Sequence, residues 1–539
     1  MEFALETMYK DITKFSYCSF DRIVIRGHVP VLQGKDGGGV VYWARSLDPD
    51  VVLTKSWFES FSAKFHINVK KYADEHSIPI LSLKADQDKN EIAKQYLPKD
   101  QNFVGVYLII KSREMAYSFA SQASIHNKNP RHRNITRENR CIDHFHFYLV
   151  DKYWGPISFR FSSHLPCNVK VYLNGNRWLV REAFRKGIRV KSEDNAITDA
   201  DNPEKLQSIA DSLDYKKIQS VCDHWVYRLF PILSYEERYK SKFRYQWFFH
   251  QIEYSHNMVF KNSWNLTKLF HQHIAVNYDH FHPLQIQRYF GHNATKKHKK
   301  DCDLRIHHQT ESITVMKIHS RGCFLRQYNK FQRIFRSEIT INNVRDLRVR
   351  KSISNLNPLK ERMEKSLCTF QGAQSSVHQA LSSDGEIAAL AKPGLIGRCH
   401  TSGIKLENDR IITLLATLPH LAQYPDGFRI SELRESILST TKKQYSTPQL
   451  SYDLRKLRAK NLIVRPSDQN RYKITPQGFR IAAIIPSLAD KLCNPLIRIA
   501  RYPIKTRAPE KLNSPLDQHY YQVEKEIACI SKLIGLNSS

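Results

Sequence analysis

Thr447-Pro448-Gln449-Leu450-Ser451-Tyr452-Asp453-Leu454-Arg455-Lys456-Leu457 is the stretch whose reading decides the fold. Leu450, Leu454 and Leu457 fall at i, i+4 and i+7, the spacing of a buried helical stripe. Tyr452, Arg455 and Lys456 fall on the opposite face. Thr447 is placed to cap the free N–H groups, and Pro448 occupies the first helical position, where a missing N–H costs nothing. Upstream, Arg410, Ile411, Leu414, Leu415 and Leu418 predict a first helix, followed by a turn at Pro425-Asp426-Gly427. A second helix starts at Ser431, with Leu433, Ile437 and Leu438 as its apolar face. Downstream, Leu462-Ile463-Val464-Arg465, a polar turn at Ser467-Asp468-Gln469-Asn470 and Arg471-Tyr472-Lys473-Ile474 read as a β-hairpin. Thr475-Pro476 then opens another helix.

Helix, helix, basic helix, hairpin is the element order of a winged helix, and residues 408–493 resemble the MarR-like and related winged-helix DNA-binding domains. The resemblance rests on element order and the wing, not on a diagnostic motif. It implies a recognition helix in the major groove. Gln449, Tyr452, Arg455 and Lys456 would meet DNA there, and Arg471 in the wing would meet phosphate or the minor groove. The competing reading is a winged helix used for protein contact alone.

Composition points the same way. The chain has 539 residues and a net charge of +31. Such an excess disfavours a compact state through self-repulsion, so it needs a reason, and a polyanionic partner supplies one. The basic residues are spread along the chain, which predicts an extended phosphate-contacting surface. At 41% hydrophobic residues the chain can build packed cores. Its longest apolar runs, such as Val104 to Ile110, are far below the ~20 residues of a membrane span. The acidic N-terminus, Met1-Glu2-Phe3-Ala4-Leu5-Glu6, does not read as a signal peptide. Ten scattered cysteines without a C-x-x-C pair form neither a disulfide framework nor a zinc site. The expectation is a reduced, cytoplasmic protein without a membrane partner.

The whole reads as an α+β multidomain chain. Residues 1–120 are expected to form an α/β domain, with strands at Arg22-Ile23-Val24-Ile25 and Val40-Val41-Tyr42-Trp43. Gly37-Gly38-Gly39 would then precede a strand, so it fails the context test for a phosphate-binding loop and reads as a flexible turn. Residues 121–350 are expected to form a mixed basic body. In it, 122–140 read as an exposed loop, 203–275 as mostly helical with an aromatic core, and Leu304 to Ile341 as a four-strand antiparallel meander. A connector spans 351–407, with Lys392-Pro393-Gly394 as its hinge. Residues 408–500 form the winged helix, and 501–539 a tail helix that packs on the body or dimerises. No long internal repeat is visible.

The strongest candidate for chemistry is the last hairpin of the meander, Phe324 to Lys330 returning through Ile334 to Thr340. Alternation puts Arg326, Tyr328 and Lys330 on one strand face, and Arg336, Glu338 and Thr340 on one face of the next. Set opposite each other, they offer cations for a phosphodiester, a carboxylate for a metal or proton, and a phenol. Over about twenty residues this resembles the replication initiators of rolling-circle plasmids, which carry an aromatic-Asn/Asp-Lys strand followed by an Arg-x-Glu strand. The resemblance touches Tyr328, Asn329, Lys330, Arg336 and Glu338. It does not locate the nicking tyrosine, which in that family lies outside these strands. The candidate catalytic set is therefore Tyr328, Lys330, Arg336 and Glu338, set against a plain salt-bridged sheet surface lining a nucleic-acid groove.

Two further features carry weaker signals. Asp143-His144-Phe145-His146 and Asp279-His280-Phe281-His282 resemble the His-hydrophobe-His metal motif of nucleases and relaxases. With 24 histidines in the chain, chance pairs are expected, and these read as satisfied or surface histidines. Lys296, Lys297, Lys299 and Lys300 read as a loop contacting phosphates.

The first expectation is a DNA-binding protein with no cofactor. The second is a metal-dependent strand-nicking replication initiator or transposition enzyme using Mg²⁺ or Mn²⁺. The third is an RNA-binding protein whose aromatic, basic middle region stacks on bases.

Overall fold

The computed structural model describes residues 3–490 except 35–36, 84–86, 101, 124–132, 230–231, 263–265, 267–268, 271–272, 275–282, 293–301, 311–312, 379–389, 391–392, 397–398, 406–407, 423, 425, 442–444 and 467–469, together with 518, 521–523 and 525–526. It is a mixed α+β chain in two compact units, residues 1–273 with 289–368, and 274–288 with 369–539.

The first unit is organised by one eleven-stranded sheet. Its strands are β1 (Thr13–His28), β2 (Ile80–Ser82), β3 (Gly105–Ala123), β4 (Arg133–Asp151), β5 (Gly155–Ser162), β6 (Val169–Asn174), β9 (Gln246–Phe260), β10 (Cys302–Thr310), β11 (Ile313–Ser320), β12 (Cys323–Lys330) and β13 (Ile334–Ile341). They lie in the order β10-β11-β12-β13-β9-β1-β6-β5-β4-β3-β2. A separate hairpin pairs β7 (Val190–Glu193) with β8 (Ala196–Ala200).

That order contains the same path twice. β1 is followed, after intervening helices, by the antiparallel run β3-β4-β5-β6, whose last strand returns to pair with β1. β9 is followed by β10-β11-β12-β13, whose last strand returns to pair with β9. The two halves join where β1 and β9 pair antiparallel. Repetition of topology is therefore present where no repeat of sequence is visible.

A short helix, α1 (Ala4–Met8), precedes β1, and α2 (Gly38–Leu47) follows it. Helices cover both faces of the sheet. α3 (Lys55–Glu75) sets Phe65 5.4 Å, ring to ring, from Phe145 on one face. α4 (Lys89–Gln95) sets Ala93 against Leu108, Ile110 and Tyr148 on the other. α5 (Gly175–Arg185) starts where the Asn174 side chain caps the N–H of Arg177. α6 (Pro203–Asp211), α7 (Tyr215–Leu229) and α8 (Tyr235–Lys240) precede β9. Further along the chain, α9 (Pro283–Tyr289) precedes β10 and α10 (Leu356–His378) follows β13.

The four-strand meander of β10 to β13 agrees with the sequence reading, and four other expectations need correction. Residues 40–43 lie in a helix, α2, capped by Gly37 at φ +71°. A Cβ on Gly39 would stand 2.0 Å from the Val31 carbonyl oxygen, so the glycine run lets the helix start close to backbone. Residues 246–260, expected helical, form β9. Its second half is buried on both faces, which removes the alternation that marks a strand. Residues 133–140, expected as loop, extend β4 against β3. The boundary expected at residue 120 falls inside β3, because the sheet runs on to Ile341.

In the second unit α11 (Asp409–Ala422), α12 (Ile430–Thr441), α13 (Thr447–Ala459), the hairpin of β16 (Ile463–Val464) with β17 (Lys473–Ile474), and α14 (Pro476–Leu488) follow in order. Phe428 bridges Tyr472, adding a third extended segment beside the hairpin. Leu414, Leu418, Leu433, Leu450, Leu454 and Leu457 share one core. Ser446, one residue before the expected Thr447, caps α13, and Gln449 closes the capping box from the third position. Of the expected hinge, Lys392 lies outside the described residues, and Pro393 and Gly394 are structured. Gly394 begins β14 (Gly394–Ile396), which pairs with β15 (Cys399–Thr401), and Lys460 Nζ donates to the Pro393 carbonyl at 3.4 Å.

Candidate functional site

Hydrogen bonding between β12 and β13 places Arg326 opposite Glu338 and Tyr328 opposite Arg336, so the two strand faces read from alternation meet. Arg326 donates to Glu338 and, at 3.0 Å, to Thr340 Oγ1. Tyr328 donates its hydroxyl to Glu338 Oε2 at 3.1 Å. Arg336 is fully buried, and its Nη2 donates to Asp21 Oδ2 at 2.6 Å and to Ser255 Oγ at 3.1 Å. Lys330 stands apart from these carboxylates, pairing at 3.5 Å with Asp194 in the β7–β8 turn.

Two carboxylates that local sequence patterns do not single out complete the site. Asp21 sits where the register of β1 against β9 shifts between Phe20 and Ile23, a bulge of the kind that re-aims a side chain. Asn195 Nδ2 holds it at 2.8 Å from the β7–β8 turn. Glu253 lies on β9 opposite Thr340, takes a hydrogen bond from Gln251 at 3.1 Å and lies 3.5 Å from Arg326. Carboxylate oxygens of Asp21, Glu253 and Glu338 all lie within 4.8 Å of one another. A lone acid inside an apolar strand, such as Glu253 between Ile252 and Tyr254, is the signal that could have found one of them.

Electrostatics divides these groups. Burial works against the charge of Glu338, yet Arg336, Arg326 and the Tyr328 hydroxyl hold its carboxyl below the usual range. Glu253 is pushed up to about 7 by burial and then by the Glu338 carboxylate, with Arg326 opposing. Burial raises the Tyr328 phenol well above its ordinary range, which suits it to donating a hydrogen bond rather than to attack. Three carboxylates face two guanidiniums, so the cluster carries one surplus negative charge. A proton on Glu253 or a bound cation can neutralise it.

The histidines His144 and His146 do not join this cluster. They share one face of β4, where His146 Nε2 lies 3.1 Å from Ser112 Oγ and 3.5 Å from Glu114. Burial, then Arg160, draws His144 down to about 4. His280, His282, Lys296, Lys297, Lys299 and Lys300 lie outside the described residues. A cavity of about 890 Å³ lined by Tyr153, Trp154, Trp178, Trp225, Arg185 and Lys217 shares no residue with the carboxylate cluster.

In the second unit Tyr452 is 45% exposed, Arg455 is exposed and Lys456 half-buried, opposite the leucine stripe. Lys456 Nζ lies 4.7 Å from the Tyr452 ring centroid. Arg471 uses its donors internally, with Nη1 2.8 Å from the Gly427 carbonyl and 3.7 Å from Glu432. No protein-family model matches the chain, and comparison with curated proteins and with solved structures likewise finds no match. Among the described residues no helix is long and apolar enough to cross a membrane.

Proposed function

We propose that this chain is a DNA-binding protein that performs metal-dependent phosphodiester chemistry, strand nicking, at the Asp21–Glu253–Glu338 cluster. The observation that carries this reading is the gathering of three carboxylates, two arginines and a phenol from four strands of the sheet. Asp21, Glu253 and Glu338 would hold a Mg²⁺ or Mn²⁺ ion, and the surplus negative charge of the cluster favours a cation there. Such an ion supplies Lewis-acid polarisation of a phosphoryl oxygen. Arg326, with 35% of its side chain exposed, is placed to take the phosphodiester's other oxygens. Tyr328 fixes Glu338 in its ionised form through its hydrogen bond.

Duplex recognition belongs, in this proposal, to residues 408–493 acting as a winged helix. The order of α11, α12, α13, β16–β17 and the Phe428–Tyr472 bridge supports that assignment. So does a basic, partly exposed face on α13, in a chain of net charge +31. The structured β14–β15 hairpin replaces the expected hinge.

Nicking of supercoiled plasmid with Mg²⁺ or Mn²⁺ tests the enzyme reading. Wild type should convert plasmid to open circles, chelator should stop it, and Glu338→Gln should remove activity while leaving binding nearly intact. Equal, chelator-insensitive cleavage in both proteins would sink it. The near-complete burial of Glu338, 2% exposed, and of Arg336 favours a second reading, a binding groove braced by a closed ion network. On that reading Glu338→Gln slightly raises affinity for the polyanion.

A further inference from the structure

The first half of the sheet carries, on strands equivalent to those of the carboxylate cluster, a row of cations. Register pairs Arg26 of β1 with Lys170 of β6, Lys170 with Arg160 of β5, and Arg160 with His146 of β4. Neighbouring strands lie about 4.8 Å apart, so Arg26, Lys170 and Arg160 span roughly 10 Å across the sheet, with His146 one strand beyond. Arg26 and Val24 share a face, Val24 pairs with Gln251, and Gln251 donates to Glu253. The row therefore lies on the same sheet face as the carboxylate cluster. Arg26 lies five residue steps beyond Asp21 along β1, roughly 16 Å.

Charge balance around the row itself is one-sided. Arg26, Lys170, Arg160 and Lys351 are four cations, and Glu114 is the carboxylate bonded into the row, through Arg160 and Ser112. Lys351 enters where its carbonyl accepts from Phe249 N of β9 at 2.8 Å. Burial, then Arg160 and Arg26, lowers Lys170. Burial, then Lys170, Arg26, Lys351 and Arg160, draws His250 down to about 4. A fold that holds like charges together against their repulsion has a use for the field they make. At the end of the row Phe248, paired with Arg26, stacks on His28 at 4.5 Å and 9°. Arg26 and His250 are exposed, and Phe248 and His28 half-buried. Aligned cations beside a stacked aromatic pair are the two parts of a single-strand binding surface.

We infer that the Arg26–Lys170–Arg160 row binds the phosphodiester backbone of single-stranded DNA, which runs over the sheet toward the carboxylate cluster. The inference rests on the reading of the chain as a DNA-binding protein and adds the site and the strandedness.

The test is fluorescence anisotropy of the full chain with a fluorescein-labelled mixed-sequence single strand of DNA, over a salt series. Wild type should bind with a steep salt dependence. Arg26→Gln/Lys170→Gln should bind about 10-fold more weakly near ~150 mM salt and flatten the log–log slope by about 1.4, since each phosphate contact to a single strand contributes ~0.7. If the double variant melts early by circular dichroism, Arg26→Gln alone carries the test, with half that change in slope. Glu114→Gln should act in the opposite direction, tightening binding several-fold. An unchanged slope in both Arg26 variants overturns the site. Unlabelled duplex that competes as well as unlabelled single strand, nucleotide for nucleotide, overturns the single-strand assignment. Should wild type bind neither form, the proposed function itself fails. Duplex binding that persists while the Arg26 variants leave single-strand binding unchanged removes this inference alone.

Discussion

Glu253 and Glu338 present carboxylate oxygens within 4.8 Å of each other from neighbouring strands, and their affinities for a proton are driven in opposite directions. Two like charges held this close divide the work. Glu338, paired with Arg326, Arg336 and Tyr328, keeps its charge, while Glu253 becomes the member that takes up a proton near neutrality.

Glu253 makes stability depend on pH in a defined direction. Its pKa is raised in the folded chain to about 7, so between the unfolded carboxyl value and about pH 7 the native state binds the extra proton. Stability then falls as pH rises through that window. The loss is up to about 3 kcal/mol, since each tenfold change in proton affinity is worth ~1.4 kcal/mol. Glu253→Gln should remove this slope and be the more stable protein at pH 8. Urea midpoints for both proteins from pH 5 to 8 decide it, and parallel curves would refute the assignment.

A divalent cation should compete with that proton. Mn²⁺ is expected to raise the melting temperature of wild type more at pH 8 than at pH 5.5, because binding to the native state alone stabilises it. Glu253→Gln should lose most of the shift. A shift of equal size in the variant would place the ion elsewhere.

Arg336 is the structural keystone of the cluster. Arg336→Ala leaves Asp21 and Glu338 buried without their shared partner and should cost about 3–5 kcal/mol, read from chemical denaturation. A loss under 1 kcal/mol would mean that water replaces the guanidinium without difficulty.

Arg455→Ala/Lys456→Ala should weaken duplex binding and reduce its log–log salt slope by about 1.8, from ~0.9 per phosphate neutralised. Melting should be unaffected, since neither residue belongs to the leucine core. Unchanged duplex affinity near ~150 mM salt would remove α13 as the reading helix.

Gly427→Ala should destabilise the second unit. The residue has φ +77°, and a Cβ there would stand 2.4 Å from the Tyr472 carbonyl oxygen. A cost of roughly 1–3 kcal/mol is expected for such strain. Differential scanning calorimetry on the full chain would show it, and an unshifted profile would argue against the packed turn.

Legibility in the sequence follows the range of the interactions. The leucine stripe of α13 and the alternation of β12 and β13 depend on neighbours a few residues away, so spacing alone places Leu450, Arg326, Tyr328 and Glu338 on their faces. The cap of α13 lies at Ser446 and not at the adjacent Thr447, a distinction that composition does not make because both types can cap. β9 reads as helical because a strand buried on both faces has no alternating pattern to show. Asp21 and Glu253 are invisible as partners of Glu338 for a different reason. They join it only through the pairing of β1, β9 and β13, which local periodicity does not encode.

The pairing of β1 with β9 also sets a timetable. Phe20 waits for Tyr254, which is made about 230 residues later. At roughly 5–20 residues per second on the ribosome, the edge of β1 stays open for tens of seconds. An unpaired strand edge of that kind invites association with other chains. Yield of intact protein should therefore rise with chaperone supply and fall when translation is slowed, and Asp21 gains its carboxylate neighbours only once the second half has emerged.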